Sequence, residues 1–363
     1  MTYHLLFVGT KFIYNKELQN YVVRKVEKNV DFLSSITFFK ENDSELFLYL
    51  EQELNTQKTL IVVSTKQSFS TVGKLICTVT SDNLVFKDTT LIPQKSSLFD
   101  ERSYLLEYKD CLVNTLFIDE MQKMPELLVH PKEESLVKVN IFEEDKESLE
   151  VLLNPIAQMY DVMIEVTSII DGWMEVAIFS RKYGNISQFI SSAKQLLSSK
   201  MIASDDIVEH IIKSLTQHQK KISFAESCTG GLLTYYFTKK NGASVVFDGS
   251  LVTYSNELKE NWLGIDAEVI QKYGAVSQNV VEEMSEGVMN VSHADFTISV
   301  SGIAGDGGGT EEKPVGTVHV GVRTHDIHNE VHLQLDGDRN YIQHQSALHA
   351  IKMIVLSDKN VFF

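Results

Sequence analysis

Short apolar runs and amphipathic stretches alternate along the first third of the chain. Three continuous apolar runs are typical of buried parallel strands: LLFVG (5–9), TLIVVST (59–65) and CLVNTLFI (111–118). Two stretches between them have helical periodicity: NKELQNYVVRKVEKNV (15–30) and ELFLYLEQEL (45–54). From Asp88 to Lys109 the pattern is irregular and polar. The strand–helix–strand order predicts a parallel sheet with crossover helices as a first domain, residues 1–131.

A second, smaller domain is predicted over residues 136–199, after the polar linker HPKEES (130–135). Its candidate strands are VKVNIFE (137–143), VMIEVTS (162–168) and WMEVAIFS (173–180). Its candidate helices are KESLEVLLNPIAQMY (146–160), interrupted near Pro155, and ISQFISSAKQLL (186–197). The β-α-β-β-α order predicts a small α+β module with its helices on one face of an antiparallel sheet. We find no catalytic constellation in this segment.

Residues 200–363 form the third predicted domain, which begins with the amphipathic helix DDIVEHIIKSLTQHQ (205–219). The candidate strands are KISFA (221–225), GSLVTYS (249–255), ADFTISVSG (294–302), VGTVHVGVRT (315–324) and EVHLQLDG (330–337). The candidate helices are LLTYYFTKK (232–240), NELKENWLG (256–264), SQNVVEEMSEGVMN (277–290) and RNYIQHQSALHAIKMIVL (339–356). The last two strands are close enough to form an antiparallel hairpin, so the domain is predicted to be α/β with a mixed sheet.

Composition excludes several classes of function. The formal charge of -16 argues against a sequence-independent grip on nucleic acid, which needs clustered Lys and Arg. The three cysteines are too few and too scattered for a disulfide framework or a zinc site, which favours a reduced, cytoplasmic compartment. MTYHLLFVGT (1–10) lacks the features of a signal peptide, and no apolar run approaches about 20 residues, so no membrane segment is expected.

AESCTGG (225–231) lies between a predicted strand and a predicted helix, and two interpretations compete for it. In the first, Ser227 or Thr229 caps the helix, as Ser and Thr commonly do. In the second, Ser227 is a nucleophile, and the free backbone N–H groups of the helix start stabilise the negative charge that develops during acyl transfer.

Lys259 is the candidate base for such a nucleophile. No histidine follows Ser227 at a spacing that resembles a Ser-His-Asp triad, whereas a lysine removed from water can lose its proton near neutral pH. Tyr254 would relay a proton or hold an amide, and Glu226 would orient Lys259 or the turn. The alternative is that Lys259 is a solvated helix residue. The dispersed histidines form no metal-binding motif.

GIAGDGGGTEEKPVG (302–316) is a glycine-rich loop whose backbone N–H groups can converge on an anion. It is neither a P-loop nor a dinucleotide fingerprint, and its alternative role is a hairpin connection. Ser301, at the end of the preceding strand, is expected to direct its hydroxyl at a substrate. Arg339 stands at a strand-to-helix junction, where it can grip a phosphate as a fork or serve only as a helix-start residue.

The third segment closely resembles the C-terminal domain of the CinA family, the nicotinamide mononucleotide (NMN) deamidases. The matching strings occur in family order: AESCTGG (225–231), VTYSNELK (252–259), GAVS (274–277), SGIAGDGGGTEEKPVGTV (301–318) and GDR (337–339). The resemblance implies an amidohydrolase that converts NMN to nicotinic acid mononucleotide and ammonia. It implies a homodimer with a small-molecule substrate and without a cofactor for the deamidase. The acidic charge and the short apolar runs argue against nucleic acid and membrane partners, and a divalent metal is expected only if the first domain is active.

The resemblance favours the nucleophile interpretation of Ser227, with Lys259 and Tyr254 as catalytic partners. The substrate-binding candidates in the matching motifs are Glu226, Thr229, Gly230, Gly231, Ser301, Gly302, Ala304, Gly305, Thr310, Lys313 and Arg339. Two positions depart from the family pattern. Asp306 stands where family members often have Pro, and Gln343 stands where many have a second arginine. Phosphate affinity is therefore expected to be weaker, unless a basic residue such as Lys313 compensates.

Family members have an N-terminal domain that resembles a molybdopterin-binding fold and, in some members, hydrolyses ADP-ribose. Its glycine-rich turn and paired aspartates are replaced here by STKQSFSTVGKL (64–75), so neither a phosphate nor a divalent metal has its usual ligands. We expect this fold to be retained as a degenerate domain without pyrophosphatase activity. Two alternatives to the deamidase stay open: an ADP-ribose pyrophosphatase that acts through the first domain, and a non-catalytic, competence-related or DNA-damage-related binding protein.

Overall fold

The computed structural model describes residues 2–30, 32–56, 58–87, 90–120, 122–129, 136–180, 184–305 and 307–363. The chain divides into two compact units, Met1–Ser135 and Leu136–Phe363. The predicted boundary at residues 199–200 falls inside the second unit, while the predicted linker (130–135) and Asp306 lie outside the described residues. Helices alternate with strands in both units, so the predicted α/β class is confirmed.

In the first unit, strands and crossover helices alternate. The strands are β1 (Tyr3–Val8), β2 (Leu33–Phe39), β3 (Thr59–Ser64), β4 (Leu84–Lys87), β5 (Thr90–Pro93), β6 (Leu98–Asp100), β7 (Ser103–Tyr108) and β8 (Cys111–Phe117). The helices are α1 (Thr10–Tyr14), α2 (Lys16–Glu27), α3 (Leu46–Leu54) and α4 (Lys66–Thr80). The main sheet has the order β2-β1-β3-β8-β7-β6, and its first four strands are parallel.

Both faces of β1 and β3 are buried, which explains their continuous apolar sequences. Leu5 and Phe7 of β1 pack with residues of α2 in one core cluster. Leu6 and Val8 point the other way and pack with residues of α3 and α4 in a second cluster. Because successive side chains in a strand point to opposite faces, a strand covered on both sides needs an unbroken apolar run.

The stretch that the sequence suggested was irregular, Asp88 to Lys109, contains the strands β5, β6 and β7. β7 pairs antiparallel with β8, and Tyr104, Leu105 and Leu106 of β7 are buried. These strands are short and separated by polar turns, so a window of helical or strand length does not reveal their periodicity. Their pairing depends on β8, which follows them in the chain.

The second unit begins with an antiparallel sheet in the order β10-β11-β9-β12. Its elements are β9 (Leu136–Phe142), α5 (Lys146–Met159), β10 (Val162–Ile170), β11 (Trp173–Ser180), α6 (Ile186–Leu197) and β12 (Met201–Ile202). α5 and α6 share one core cluster with Val139 and Ile141 of β9, as the predicted one-sided module requires. The predicted interruption at Pro155 is wrong, since α5 continues through it. Pro155 lies on the exposed face, where water can satisfy the carbonyl that loses its donor.

The remaining elements of the second unit surround a five-stranded sheet with the order β14-β13-β15-β16-β17. Its strands are β13 (Ile222–Glu226), β14 (Phe247–Val252), β15 (Phe296–Gly302), β16 (Thr317–Arg323) and β17 (His328–Gln334). The helices are α7 (Ile207–Gln217), α8 (Leu232–Thr238), α9 (Ala243–Val246), α10 (Asn256–Leu263), α11 (Ala267–Tyr273), α12 (Gln278–Ser292), α13 (Arg339–Ser357) and α14 (Lys359–Phe362). β14, β13 and β15 are parallel, and the predicted antiparallel hairpin of β16 and β17 is confirmed.

The two faces of β15 differ in chemistry. Phe296, Ile298 and Val300 belong to an apolar cluster that also contains residues of α13. The alternate residues Thr297 and Ser299 donate from their hydroxyls to the carbonyls of Ser285 and Val281 in α12, at 2.9 and 2.6 Å. α13 therefore packs on one face through apolar contacts, and α12 is held on the other by hydrogen bonds.

Candidate active site

The candidate residues come together at the carboxyl edge of the parallel strands in the second unit. β13 ends at Glu226, directly before Ser227, and β14 ends at Val252, directly before Thr253. α10 follows β14 and carries Lys259 on its inner face. In open α/β sheets, ligands bind beyond the carboxyl ends of the strands, which is where these residues lie.

Ser227 and Lys259 form a buried pair. The Lys259 Nζ lies 3.1 Å from the Ser227 Oγ and 2.7 Å from the carbonyl oxygen of Thr253. Lys259 is 1% exposed and Ser227 is 8% exposed. Burial lowers the pKa of Lys259, because a charged ammonium group is destabilised away from water. In the part of the chain that the structure describes, no carboxylate forms an ion pair with Lys259.

These contacts suit a neutral amine. In the structure the Lys259 Nζ donates to both oxygens; a neutral amine also has a lone pair, so at the same distances it can keep its bond to Thr253 and accept the hydroxyl proton of Ser227. Thr253 was not among the candidates from the sequence. No sequence signal identifies it, because it contributes a main-chain carbonyl that any residue could supply.

The turn after β13 is a short main-chain structure that needs glycine at two positions. The Ser227 N–H donates to the Val300 carbonyl at 2.9 Å, and the Gly230 N–H donates to the Ser227 carbonyl at 3.1 Å. Gly230 and Gly231 have φ values of 59° and 97°, in the left-handed region. A side chain at Gly230 would meet nothing within 4 Å, so backbone conformation rather than space requires glycine there.

Glu226 caps α8, in contrast to both interpretations of the AESCTGG motif. The N-cap residue is Gly231, which has no side chain to accept a bond, so the predicted cap by Ser227 or Thr229 is wrong. The buried carboxylate of Glu226 instead accepts from the N–H groups of Gly231, Leu233 and Thr234 at 2.9–3.1 Å. It also accepts from the hydroxyls of Thr229, Thr234 and Ser250.

Two expectations change because of this cap. The N–H groups at the start of α8 are occupied by Glu226, so they are not available to an oxyanion. Glu226 is predicted to orient either Lys259 or the turn. Its contacts fit the second role, because Glu226 accepts from the start of α8, whereas Lys259 donates to the Thr253 carbonyl. Thr229, expected near substrate, donates its hydroxyl proton to Glu226 at 2.8 Å.

Cys228, next to Ser227, is a buried thiol. Burial raises its pKa to about 12, so the reactive thiolate is essentially absent at neutral pH. The Cys228 carbonyl accepts from the Gln343 Nε2 at 2.7 Å. The sequence identifies Gln343 only as the position of a missing arginine, whereas in the structure its amide contacts the turn after β13.

Arg339 and Tyr254 lie together at the exposed rim of this site. The Arg339 Nη2 donates to the Tyr254 hydroxyl at 2.6 Å, and Tyr254 is 59% exposed. A Cβ atom on Gly305 would lie 2.3 Å from the Arg339 Nη1, so the guanidinium packs directly on the glycine-rich loop. Tyr254 therefore contacts the candidate phosphate ligand rather than the Ser227–Lys259 pair.

Two other candidates, Ser301 and Lys313, form hydrogen bonds to main-chain carbonyls of the protein. The hydroxyl of Ser301, expected to face the substrate, donates to the Ala275 carbonyl at 2.8 Å, in line with the contacts of Thr297 and Ser299. Lys313, expected to compensate for Gln343, donates to the carbonyls of Tyr273 and Val276 at 2.6 and 2.8 Å. Both therefore fix the segment between α11 and α12.

The glycine-rich loop approaches the turn after β13 at its first residue, Gly302. A Cβ atom on Gly302 would lie 2.7 Å from Val318 and 3.1 Å from the Cys228 Sγ, so only glycine fits between β16 and the turn. Ala304 is buried, whereas Gly307, Gly308 and Gly309 are exposed. The Thr310 hydroxyl accepts from the Lys313 N–H at 3.0 Å and shapes the tip of the loop.

In the first unit, the turn that departs from the family pattern is the start of α4. The Thr65 side chain caps this helix by accepting from the Ser68 N–H at 3.2 Å. Across the described ranges of the chain, no group of three or more His, Cys, Asp or Glu residues is arranged to hold a metal ion. Every helix in those ranges is too short or too polar to traverse a lipid bilayer.

Known proteins similar to this chain match its C-terminal part. The family model for the CinA C-terminal domain matches residues 204–357. A putative competence-damage inducible protein of Thermoanaerobacter pseudethanolicus is 43% identical over 150 residues, which is 41% of this chain and 36% of that protein. A CinA-like protein of Thermotoga maritima is 44% identical over 149 residues, with the same two shares. The chain thus matches little more than a third of the length of these curated relatives.

Among solved structures, the competence/damage inducible protein CihA of Agrobacterium tumefaciens is 35% identical. The match covers 43% of this chain and 97% of that chain, with a TM-score of 0.41. The fold and the site define an α/β domain with a buried serine–lysine pair at the carboxyl edge of its parallel strands. Residues 204–357 therefore match the CinA C-terminal domain, and the similarity to the curated relatives covers about two fifths of this chain.

Proposed function

We propose that the C-terminal domain is an amidohydrolase that converts NMN to nicotinic acid mononucleotide and ammonia. The observation that carries this proposal is the 3.1 Å contact between the Ser227 hydroxyl and the buried amine of Lys259. A serine becomes a nucleophile when an adjacent base takes its proton, and Ser–Lys pairs perform this step on several folds.

In the first step, the Ser227 Oγ attacks the carboxamide carbon while Lys259 takes the hydroxyl proton. The resulting ammonium group then donates a proton to the leaving nitrogen, which departs as ammonia and leaves an acyl-enzyme. Lys259, again neutral, activates a water molecule that hydrolyses the ester and releases the carboxylate product. The lowered pKa of Lys259 supports this cycle, because the amine must be uncharged at its start.

The oxyanion of each tetrahedral intermediate requires donors other than the start of α8. We assign this role to the main-chain N–H groups of Cys228 and Thr229, which directly follow the nucleophile and whose protein acceptor is the thiol of Cys228, a weak acceptor that an oxyanion can replace. The neighbouring N–H groups of Ser227, Gly230 and Gly231 are already bonded to protein oxygens. Donors fixed beside the nucleophile are worth about 3–4 kcal/mol each to such a reaction.

Arg339 is the proposed ligand of the substrate phosphate. Its guanidinium is held at the rim by Tyr254 and lies on Gly305, so it can form two parallel hydrogen bonds to phosphate oxygens. We propose no metal or redox cofactor for this reaction, since the serine and the lysine supply the nucleophile and the base.

Release of ammonia from NMN tests the proposal directly. Ser227→Ala should abolish activity, whereas Ser187→Ala, on the exposed side of α6, should retain it. Equal activity of the wild type and Ser227→Ala would refute the catalytic assignment. Inactivity of both would favour a binding protein, and metal-dependent release of AMP from ADP-ribose would favour the hydrolase alternative in the first unit.

A further inference from the structure

Gln343 connects the second turn of α13 to the turn that carries the proposed nucleophile. Its Nε2 donates to the Cys228 carbonyl at 2.7 Å, across 115 residues of sequence. The Gln343 side chain is partly buried. The acceptor carbonyl belongs to the residue directly after Ser227, so this contact lies one peptide away from the proposed chemistry.

The hydrogen bond from Gln343 fixes the peptide plane between Cys228 and Thr229. Main-chain bonds hold the peptides on either side, through Ser227 to Val300 and Gly230 to Ser227. The carbonyl of Cys228 and the N–H of Thr229 belong to one planar trans peptide and point in opposite directions. A donor that holds this carbonyl therefore also sets the direction of the Thr229 N–H.

The contacts of Gln343 do not fit a phosphate ligand. Its amide is uncharged, and one of its N–H groups is committed to the Cys228 carbonyl. The cation of this region is Arg339, one turn earlier on the same helix, whose guanidinium lies against Tyr254 and Gly305. α13 thus contributes two side chains to the site: Arg339 as the cation, and Gln343 as the donor to the Cys228 carbonyl.

We propose that Gln343 is a positioning residue that aims the N–H group of Thr229 at the carboxamide oxygen of the substrate. The inference rests on the proposed amidohydrolase function and adds a residue to its machinery. The side chain of Gln343 acts through the peptide plane of Cys228 and has no contact with the substrate itself.

The test compares Gln343→Ala, Gln343→Arg and a matched control, Gln345→Ala. Gln345 lies on the same helix and donates to the carbonyl of Asp336, away from the turn. Gln343→Ala removes the donor, whereas Gln343→Arg keeps a long donor that can reach the Cys228 carbonyl. The kcat and KM of each full-length variant are measured with NMN and with nicotinamide riboside, which lacks the phosphate.

Gln343→Ala should lower kcat roughly fivefold to tenfold for both substrates, the effect of one neutral hydrogen bond on a transition state. KM should stay within about twofold of the wild type, because this variant removes no ground-state contact. Gln343→Arg and Gln345→Ala should retain the wild-type kcat. A rise in the KM for NMN alone, or an unchanged kcat in Gln343→Ala, would overturn the proposal.

Hydrogen exchange provides a readout that needs no substrate. Gln343→Ala should speed exchange of the amides in residues 227–231, while Gln345→Ala should not. Unchanged exchange in Gln343→Ala would overturn the positioning role, whatever the activity. An inactive wild-type protein with faster exchange in Gln343→Ala would refute the amidohydrolase but support the contact that holds the turn.

Discussion

Substitution of Glu226 tests whether its carboxylate caps α8 and thereby stabilises the second unit. Glu226→Gln keeps the size of the side chain but replaces one acceptor oxygen with an NH₂ group. In the wild type, the Oε2 accepts from the N–H groups of Gly231 and Leu233, and the Oε1 accepts from the N–H of Thr234. The least unfavourable orientation places the NH₂ at the Oε1 position, so that only the Thr234 N–H faces a donor.

The cost of this substitution follows from those contacts. Loss of one charge-assisted bond costs about 1.5–3 kcal/mol, and the orphaned N–H of Thr234 is partly buried. The hydroxyls of Thr234 and Ser250 can rotate to accept from the new NH₂, so they add little. Removal of a negative charge from the start of α8 costs about 0.3–1 kcal/mol more. Together these contributions predict a destabilisation of about 3 kcal/mol.

Urea unfolding followed by tryptophan fluorescence measures this loss in the correct unit. The chain has two tryptophans, Trp173 and Trp262, and both belong to the second unit. With an m-value of about 2 kcal/mol/M, the midpoint should fall by about 1.5 M. Glu165→Gln, on the exposed side of β10, should shift it by less than about 0.3 M. A midpoint for Glu226→Gln that matches this control would refute the assignment of Glu226 as the cap.

Three further outcomes are expected. kcat/KM should rise about tenfold per pH unit up to a midpoint below the ordinary lysine pKa of about 10.4, because burial lowers the pKa of Lys259 and only its neutral form is a base. Lys259→Met, which has no base, should lose at least about 100-fold in kcat. Gly287→Ala should destabilise the second unit by about 2 kcal/mol in the same urea assay, because its Cβ would lie 2.2 Å from the Leu263 carbonyl and this clash outweighs the helix propensity of alanine. Cys228 should resist a thiol reagent at pH 8 until urea unfolds the chain, since its pKa is about 12, and rapid labelling of the native protein would contradict its burial.

The two ends of the candidate site differ in how many hydrogen bonds hold them. α12 is held to β15 by hydroxyls that donate to its carbonyls, and Ser301 extends this row to Ala275. Lys313 fixes the same segment from the glycine-rich loop. In contrast, the rim with Tyr254 and Arg339 is exposed.

The long, strongly periodic elements were predictable because their signals are local. Both faces of β1 and β3 are covered, which gives continuous apolar runs, and α7 and α12 carry amphipathic patterns with polar caps. The strands between Asp88 and Lys109 were not predictable, because they are short and their partner β8 lies later in the chain. Pro155 was misleading, because the effect of proline depends on whether solvent can satisfy the freed carbonyl.

Residue type and spacing are enough to identify the groups available for chemistry: a serine after a strand, a lysine on a later helix and glycines that permit tight turns. These are properties of residue type and spacing, which act over a few neighbours. The tertiary fold sets the long-range contacts, such as the bond from the amide of Gln343 to the carbonyl of Cys228, 115 residues earlier in the chain. Such a bond forms only once the sheet and α13 have brought these two distant segments together.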